Sequence, residues 1–257
     1  MRLEPVPDEP ALLVGKSILA VADLHIGIEA ELNLAGIYLP SQTMKMAARL
    51  IDLIEETGAE SLVLLGDIKH YVPATAALER RDLPRFFEAL SRAVDEIHVA
   101  VGNHDAQIRP YVPRSVRFHR PGGFVIDDVG FAHGHAWPPP SVLRCRSLVM
   151  GHNHPAIVMV DELGWRSFRP CWVRYKFRRN VKGHKTLPSR GLLVPSFNDM
   201  CGGAAVNDVG TKLLGPLVSD KVADLAGADI HLLDGTYLGY LRDLGVDAGL
   251  RPRDFRQ

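Results

Sequence analysis

The sequence predicts a layered α/β fold with two sheets, and three observations carry that prediction. Short, nearly continuous apolar runs recur at Ile18–Ala22, Leu62–Leu65, Ile97–Val101, Gly130–Ala132 and Leu148–Met150, and runs of this kind read as buried strands. Helical segments lie between them in the first half, and alternation of strands with helices is the pattern of an α/β layered domain. After Pro155 the helical pattern stops. There AIVMV, CWVRYKF, GLLVPSF, DIHLL and TYLGYL read as strands separated by turns, which predicts a second, mostly antiparallel sheet packed on the first.

The elements follow in order. ALLV, Gly15-Lys16 and SILAVA read as a hairpin closed by a two-residue turn. Ser41 can cap a helix running to Thr57, with Met44, Leu50, Leu53 and Ile54 on one face and Gly58 as its stop. Asp82 can cap a second helix through Val94, with Phe86, Phe87 and Leu90 inward. There is no internal repeat, low-complexity tract or dividing linker. Residues 1–257 therefore read as one domain, with polar motifs over 23–154 and the second sheet and a basic region over 155–257.

Composition excludes several classes. With 46% hydrophobic and 23% charged residues, the chain is neither disordered nor fibrous. Thirty Lys+Arg balance thirty Asp+Glu, so overall charge predicts no polyanion partner, although a local patch can still bind one. Cys145, Cys171 and Cys201 are an odd number with no C-x-x-C, which is no disulfide framework or zinc ribbon and fits a cytoplasmic setting. The start, MRLEPVPDEP, does not read as a signal peptide. The apolar runs are far shorter than the about 20 residues of a membrane helix, so no membrane association is expected.

Each apolar run of the first group leads into polar residues of one kind. They are Asp23-Leu24-His25, Gly66-Asp67, Gly102-Asn103-His104-Asp105, His133-Gly134-His135 and Gly151-His152-Asn153-His154. Ligands bind beyond the carboxyl ends of strands in open α/β sheets, so five such ends predict one crevice lined by carboxylates, an amide and imidazoles. Imidazole and carboxylate without thiolate suit manganese, iron or zinc. Asp23 with His25, and His152 with His154, are spaced to leave a strand on the same side. Glycine precedes three of the clusters, where the backbone can turn sharply and approach a ligand. Any one of these residues alone is more simply a loop or capping residue; the ordered set of five is what points to a metal site.

This ordered set, D-x-H, G-D, G-N-H-D, H and G-H-x-H, resembles that of the calcineurin-like metallophosphoesterase superfamily and spans Asp23 to His154. The resemblance implies a two-sheet β-sandwich flanked by helices. The early hairpin, DLHIGIEAEL followed by GIYLP, and the G-H-N-H-P ending look most like the small archaeal branch described as DNA-ligase-associated or exonuclease-related. By similarity, Asp23, His25, Asp67 and His154 hold one metal, and Asp67, Asn103, His133 and His152 hold the other, with Asp67 bridging. The implied cofactor is two divalent ions, manganese first, with iron, zinc, nickel or cobalt compatible with the same ligands. Two such ions bridge a water, lower its pKa toward 7 and let the hydroxide attack phosphorus in line. His104 matches the superfamily's substrate-side histidine and would protonate the leaving oxygen. Asp105 would orient it, or cap the short turn that follows.

Five further features have two readings each. His70 resembles a histidine of the DNA-repair nuclease branch, in G-D-x-x-H-x-x-x-P, although Pro73 comes one residue early; otherwise it is a surface loop residue. His135 contacts phosphate or orients His133, or is structural. Lys69 faces the substrate or, more simply, is solvated, and His98 is a packing or solvent-facing residue of its strand. Between Arg166 and Lys185, basic residues including Arg174, Arg178 and Arg179 alternate with Phe168, Trp172, Tyr175 and Phe177. Such a segment can track a DNA or RNA backbone and stack bases, or it is an amphipathic strand whose aromatics fill the core. The expected activity is hydrolysis of phosphate esters, a phosphodiesterase or nuclease before a phosphomonoesterase. A non-catalytic scaffold of the same fold would have lost ligands, and none is lost.

Overall fold

The structure, a computed structural model, describes residues 1–178, 181 and 186–246. The first sheet holds β1 (Leu3–Pro5), β2 (Ala11–Val14), β3 (Ile18–Val21), β4 (Ser61–Leu64), β5 (Glu96–Ala100) and β6 (Arg117–His119), side by side in that order. β2 and β3 form the expected hairpin, but Val14 pairs with Ile18, so the turn holds Gly15, Lys16 and Ser17 rather than two residues. From β3 to β6 the strands are parallel. The crossovers between them carry α1 (Ile28–Leu34), α2 (Thr43–Thr57) and α3 (Ala77–Leu90).

The helix ends depart from the sequence expectation. α2 begins at Thr43; Ser41 Oγ accepts from the Thr43 amide at 3.3 Å and donates to Asp82 at 2.6 Å. Its buried face uses Met46, Ala47, Leu50, Leu53 and Ile54, while Met44 points outward. Gly58 stops it in the left-handed region at φ 66°, as expected. α3 begins five residues before Asp82. Glu79 reaches back to accept from the Ala76 amide at 2.6 Å, half of a capping box, and Asp82 sits inside the helix as a buried partner of Ser41 and Arg81. The helix ends at Leu90, short of Val94, with Phe86, Phe87 and Leu90 buried.

The second sheet holds β7 (Phe124–Ile126), β8 (Val129–Ala132), β9 (Ser147–Met150), β10 (Pro155–Val160), β11 (Arg166–Phe177), β12 (Arg190–Leu193) and β13 (Ala204–Ala205). Their spatial order is β13-β10-β11-β12-β9-β8-β7, and β14 (Ala223–Leu232) pairs with β11 and with β15 (Tyr237–Tyr240). The sheet is mixed, because β8 with β9, β9 with β12, and β10 with β13 are parallel. It also starts earlier than Pro155: two of the five apolar runs, β8 and β9, belong to it. The connection between those two carries only the four-residue α4 (Pro140–Leu143).

Three cores result from the period-two alternation along the strands. Leu19, Val21, Leu62 and Leu64 face outward against α2 and α3, with Leu50, Leu53, Phe86 and Phe87. Ile18, Ala20, Val63 and Ala100 face inward, against Phe131, Val149, Trp172 and Leu192 of the second sheet. The other face of that sheet, with Met150, Val173, Tyr175 and Ile230, packs under Val142 of α4 and Leu217 of α5 (Pro216–Ser219). Each large apolar side chain buried this way contributes about 1.5–3 kcal/mol. The parallel strands of both sheets are thereby fixed with their carboxyl ends at one edge of the sandwich. Among the described residues no helix is long and apolar enough to cross a membrane.

Candidate metal centre

All five polar clusters gather at that edge. β3 delivers Asp23 and His25, β4 delivers Asp67, β5 delivers Asn103 and His104, β8 delivers His133, and β9 delivers His152 and His154. The spacing works differently from a strand pleat. Asp23, His25, Asp67, His152 and His154 lie beyond the strand ends with φ of 56°, 42°, 47°, 72° and 41°, the left-handed region that few non-glycine residues occupy. The backbone holds this course: the His25 amide donates to the Asp67 carbonyl at 2.8 Å and the Ile26 amide to the Ile68 carbonyl at 2.8 Å. Glycine is required beside it. A Cβ on Gly102 would lie 2.2 Å from Asp67 Oδ1, and one on Gly66 would lie 2.7 Å from the His133 ring.

The ligand atoms of Asp23, His25 and Asp67 lie within 4.8 Å of one another, as do those of Asp67, His133 and His152. Asp67 belongs to both groups. His25 Nε2 and His154 Nε2 are 3.3 Å apart, and His154 Nε2 is 3.6 Å from Asp23 Oδ1. His133 Nε2 lies 3.3 Å from Asp67 Oδ2 and 3.1 Å from Asn103 Oδ1, while its Nδ1 donates to the Leu65 carbonyl at 2.8 Å. That last bond fixes the ring so that Nε2 faces the centre.

The electrostatics ask for a cation. Asp23 and Asp67 are buried carboxylates, and among the described residues no Lys or Arg pairs with either. Buried charge of one sign is costly unless it is compensated. Burial lowers His25 to about 3 despite the attraction of Asp23 and Asp67, and burial with the charge of His133 lowers His152 to about 4. Both imidazoles are thus neutral, the form that ligates a metal. At His133 burial is outweighed by the hydrogen bond to Asp67 and the charge of Asp23, and the pKa rises to about 9. His154 is raised as well, its burial outweighed by Asp23. Asp67, in turn, is held well below the usual carboxylate range, burial being outweighed by His133. A proton on His133 thus supplies positive charge the carboxylates need, which divalent ions would replace. The donor set fits such ions.

Around this centre the expected neighbours fall into place unevenly. His104 lines the pocket; its amide donates to Asp67 Oδ1 at 2.8 Å, its Nδ1 contacts the His70 carbonyl, and its Nε2 is 4.0 Å from Asp67 Oδ2. The expectation that Asp105 orients His104 is corrected. The Asp105 carboxylate is buried and accepts from the amides of Gly102 at 2.7 Å and Ile68 at 2.8 Å, so it ties two ligand loops together and the His70 carbonyl orients the ring. It caps no helix by its side chain either; burial raises its pKa. His70 is not a free surface residue: its Nδ1 is 3.2 Å from His25 Nδ1 and its Nε2 is 2.6 Å from Glu31. Lys69, expected in solvent, is buried, donating to the carbonyls of Tyr71 and Ala74 beside buried Glu79; burial lowers its pKa. His98 packs in its strand, as expected, against His119.

His135 stands behind the centre, its ring centroid 5.2 Å from that of His133, with Nδ1 unpartnered among the described residues and its pKa lowered by burial. In the basic segment, Trp172, Tyr175 and Phe177 are buried and belong to the core, so of the two readings the core-filling one holds for them. Arg174 is half-buried opposite Asp229 of β14, and burial lowers its pKa. Arg178 is exposed, and Arg179 lies outside the described residues.

Sequence reasoning missed several residues at the pocket. Cys201 brings its Sγ within 4.8 Å of ligand atoms of His25 and His154, although a thiol-free set was expected; burial pushes its pKa up to about 12, so it is a neutral thiol. Lys212 and Leu214 line the pocket because Asn153 holds their loop: its side chain accepts from the Leu214 amide at 2.7 Å and donates to the Leu214 carbonyl at 3.1 Å. The only local signal was the Gly202-Gly203 pair, a mark of close backbone approach.

A sandwich edge that gathers the buried carboxylates of Asp23 and Asp67, an amide and imidazoles is a donor set able to hold divalent metal, built from strand ends. The sequence model of the Calcineurin-like phosphoesterase family matches residues 16–184, and the chain belongs to that family of phosphate-ester hydrolases with a divalent metal centre. Among solved structures, the nuclease MPE of Pseudomonas putida is 18% identical, with 91% of this chain and 98% of that one covered and a TM-score of 0.57. YfcE, a phosphoesterase from E. coli, is 16% identical over 86% of this chain and 96% of its own, with a TM-score of 0.42. A search of curated proteins gave no match.

Proposed function

We propose that this chain is a phosphodiesterase acting on nucleic acid, with two divalent ions, manganese first, held on either side of Asp67. The observation that carries the reading is the membership of Asp67 in both ligand groups. Asp23, His25, Asp67 and His154 would hold one ion, and Asp67, Asn103, His133 and His152 the other. Bound there, divalent ions supply Lewis-acid charge that activates water and neutralises phosphoryl oxygens. The residues do the rest. Asp105 and the Leu65 carbonyl keep the ligand loops and His133 in register. His104, oriented by the His70 carbonyl, presents Nε2 to the pocket and gives a proton to the leaving oxygen. His70 stands beside His25 and His135 beside His133, and both assist substrate placement.

A diester is favoured over a monoester by charge. Among the described residues Lys212 is the one Lys or Arg lining the pocket, which suits a singly charged phosphodiester better than a dianionic monoester. The name of the Pseudomonas putida nuclease adds to this reading, as does the resemblance of the motifs to the DNA-ligase-associated branch. Three free cysteines agree with a cytoplasmic setting. The test is a substrate panel with added Mn²⁺: 4-nitrophenyl phosphate, bis(4-nitrophenyl) phosphate, cyclic nucleotides, and single- and double-stranded DNA. The diester and DNA are expected to turn over well ahead of the monoester; the reverse order would make the protein a phosphomonoesterase.

A further inference from the structure

Next to the metal pocket lies a second cavity. The metal pocket measures about 330 Å³ and its neighbour about 440 Å³, and His154, Gly202 and Gly203 line both. The junction carries no side chain from the two glycines. Gly202 is exposed, and a Cβ built on it meets nothing within 4 Å, so the space beside it is open.

The walls of the second cavity differ in chemistry from those of the first. Pro155, Ala156, Pro170 and Phe168 make them largely apolar. Antiparallel pairing of β10 with β11 sets Ala156 opposite Pro170 and Val158 opposite Phe168, which places Phe168 and Pro170 on the sheet face that carries Ala156, two residues from His154. Phe168 is 55% exposed there, while Trp172, Tyr175 and Phe177 of the same strand are all buried. Among the described residues no Lys or Arg lines this cavity, and its one carboxylate, Asp199, is exposed and lies 3.4 Å from Arg49. A phosphate finds no lysine or arginine on these walls. A flat, apolar, uncharged group joined to a phosphate suits them, and the volume lies within the range of small-ligand sites.

We propose that this cavity is a nucleobase subsite: it takes the base of the nucleotide whose phosphodiester lies at the metal centre, with the base stacked on Phe168. The proposal rests on the diesterase reading and adds the substrate feature that the metal pocket alone does not recognise. Stacking on an aromatic ring accepts every base, because every base has a π-face, so the subsite selects nucleotides over other diesters and is tolerant of sequence.

Two esters with the same leaving group test it: thymidine 5′-(4-nitrophenyl phosphate) and methyl 4-nitrophenyl phosphate, assayed with the Mn²⁺-loaded protein. The measured quantity is the ratio of their kcat/KM values. Phe168→Ala is expected to lower that ratio by roughly 5- to 100-fold, the range for loss of one stacked base, and to do so mainly through KM. Gly202→Leu, which narrows the junction at an unstrained backbone position, is expected to lower it as well. A ratio unchanged in both variants would overturn the proposal, as would an equal loss on both esters. A second readout needs no turnover. Saturation-transfer NMR on the metal-free protein with thymidine 5′-monophosphate should show thymine protons in contact with the parent and not with Phe168→Ala; no thymine contact in the parent counts against the subsite. If the parent cleaves 4-nitrophenyl phosphate and neither diester, the diesterase reading fails, and the NMR contact alone then decides whether the cavity holds a base.

Discussion

Along β3, apolar side chains alternate between two cores, and the polar residues come only after the strand has ended. Along β11, polar and aromatic side chains are spread through the strand itself. The consequences differ. Asp23 and His25 lie past the end of β3, where bonds to the loop after β4 hold the backbone in the left-handed region and turn its side chains toward Asp67 and His154. Trp172, Arg174 and Tyr175 are held by pairing with β12 and β14, so their directions are set by the pleat and they fill or border the core. Residues at strand ends are available for chemistry; residues within paired strands are spent on packing, and β11 approaches the metal pocket only at its other end, near Phe168 and Pro170.

This contrast can be broken at several points. The largest effect is expected at Asp67. Asp67→Asn removes the charge common to both ligand groups, and metal analysis should find both ions weakened and hydrolysis nearly abolished; two tightly held ions with normal turnover would contradict the assignment. His104→Ala comes next. Both ions should stay while kcat falls by roughly 10²–10⁴, the usual range for acid–base assistance, and the fall should shrink for esters with better leaving groups. Loss of metal from this variant would make His104 a ligand instead.

Metal affinity should depend on pH through His133. Below about 9 the metal-free protein holds a second proton on this ring, at Nε2, and a ring whose Nε2 binds a metal cannot. Affinity for Mn²⁺ followed by calorimetry should therefore rise with pH up to about 9, with proton release on binding. A flat profile between neutral and alkaline pH would mean that the proton on His133 does not compete.

The core of β11 gives the opposite signature. Trp172→Ala should cost about 3–5 kcal/mol in urea unfolding while the folded fraction keeps its metal. The smallest effect is expected at the exposed Arg178. Arg178→Glu should lower the log–log salt slope of DNA binding by about 0.7–0.9, one phosphate contact, and barely alter hydrolysis of a small aryl diester. An unchanged slope would mean that Arg178 contacts no phosphate.

What could be read from the chain follows the same division. The five clusters were legible because each is local: an apolar run, sometimes a glycine, then a carboxylate, amide or imidazole, in an order that a packed surface has no reason to keep. The helix starts were less so, since Glu79 reaching back to Ala76 overrides the capping signal of Asp82. Lys69 looks like any surface lysine in sequence; only the fold shows its ammonium turned inward to two carbonyls. Cys201 and Lys212 join the site from segments with no periodic signal, brought in by the Gly202 carbonyl on His154 and by Asn153, and Glu31 reaches it through the ring of His70. Contacts of that kind are made by tertiary structure and leave no trace along the sequence.

The central claim is that Asp67 stands between two metal ions. Anomalous diffraction at the manganese edge, from crystals grown with MnCl₂, tests it most directly. Two peaks are predicted, both in contact with the Asp67 carboxylate, one also reached by His25 and His154 and the other by His133 and His152. A single peak, or two peaks of which only one touches Asp67, would contradict the account.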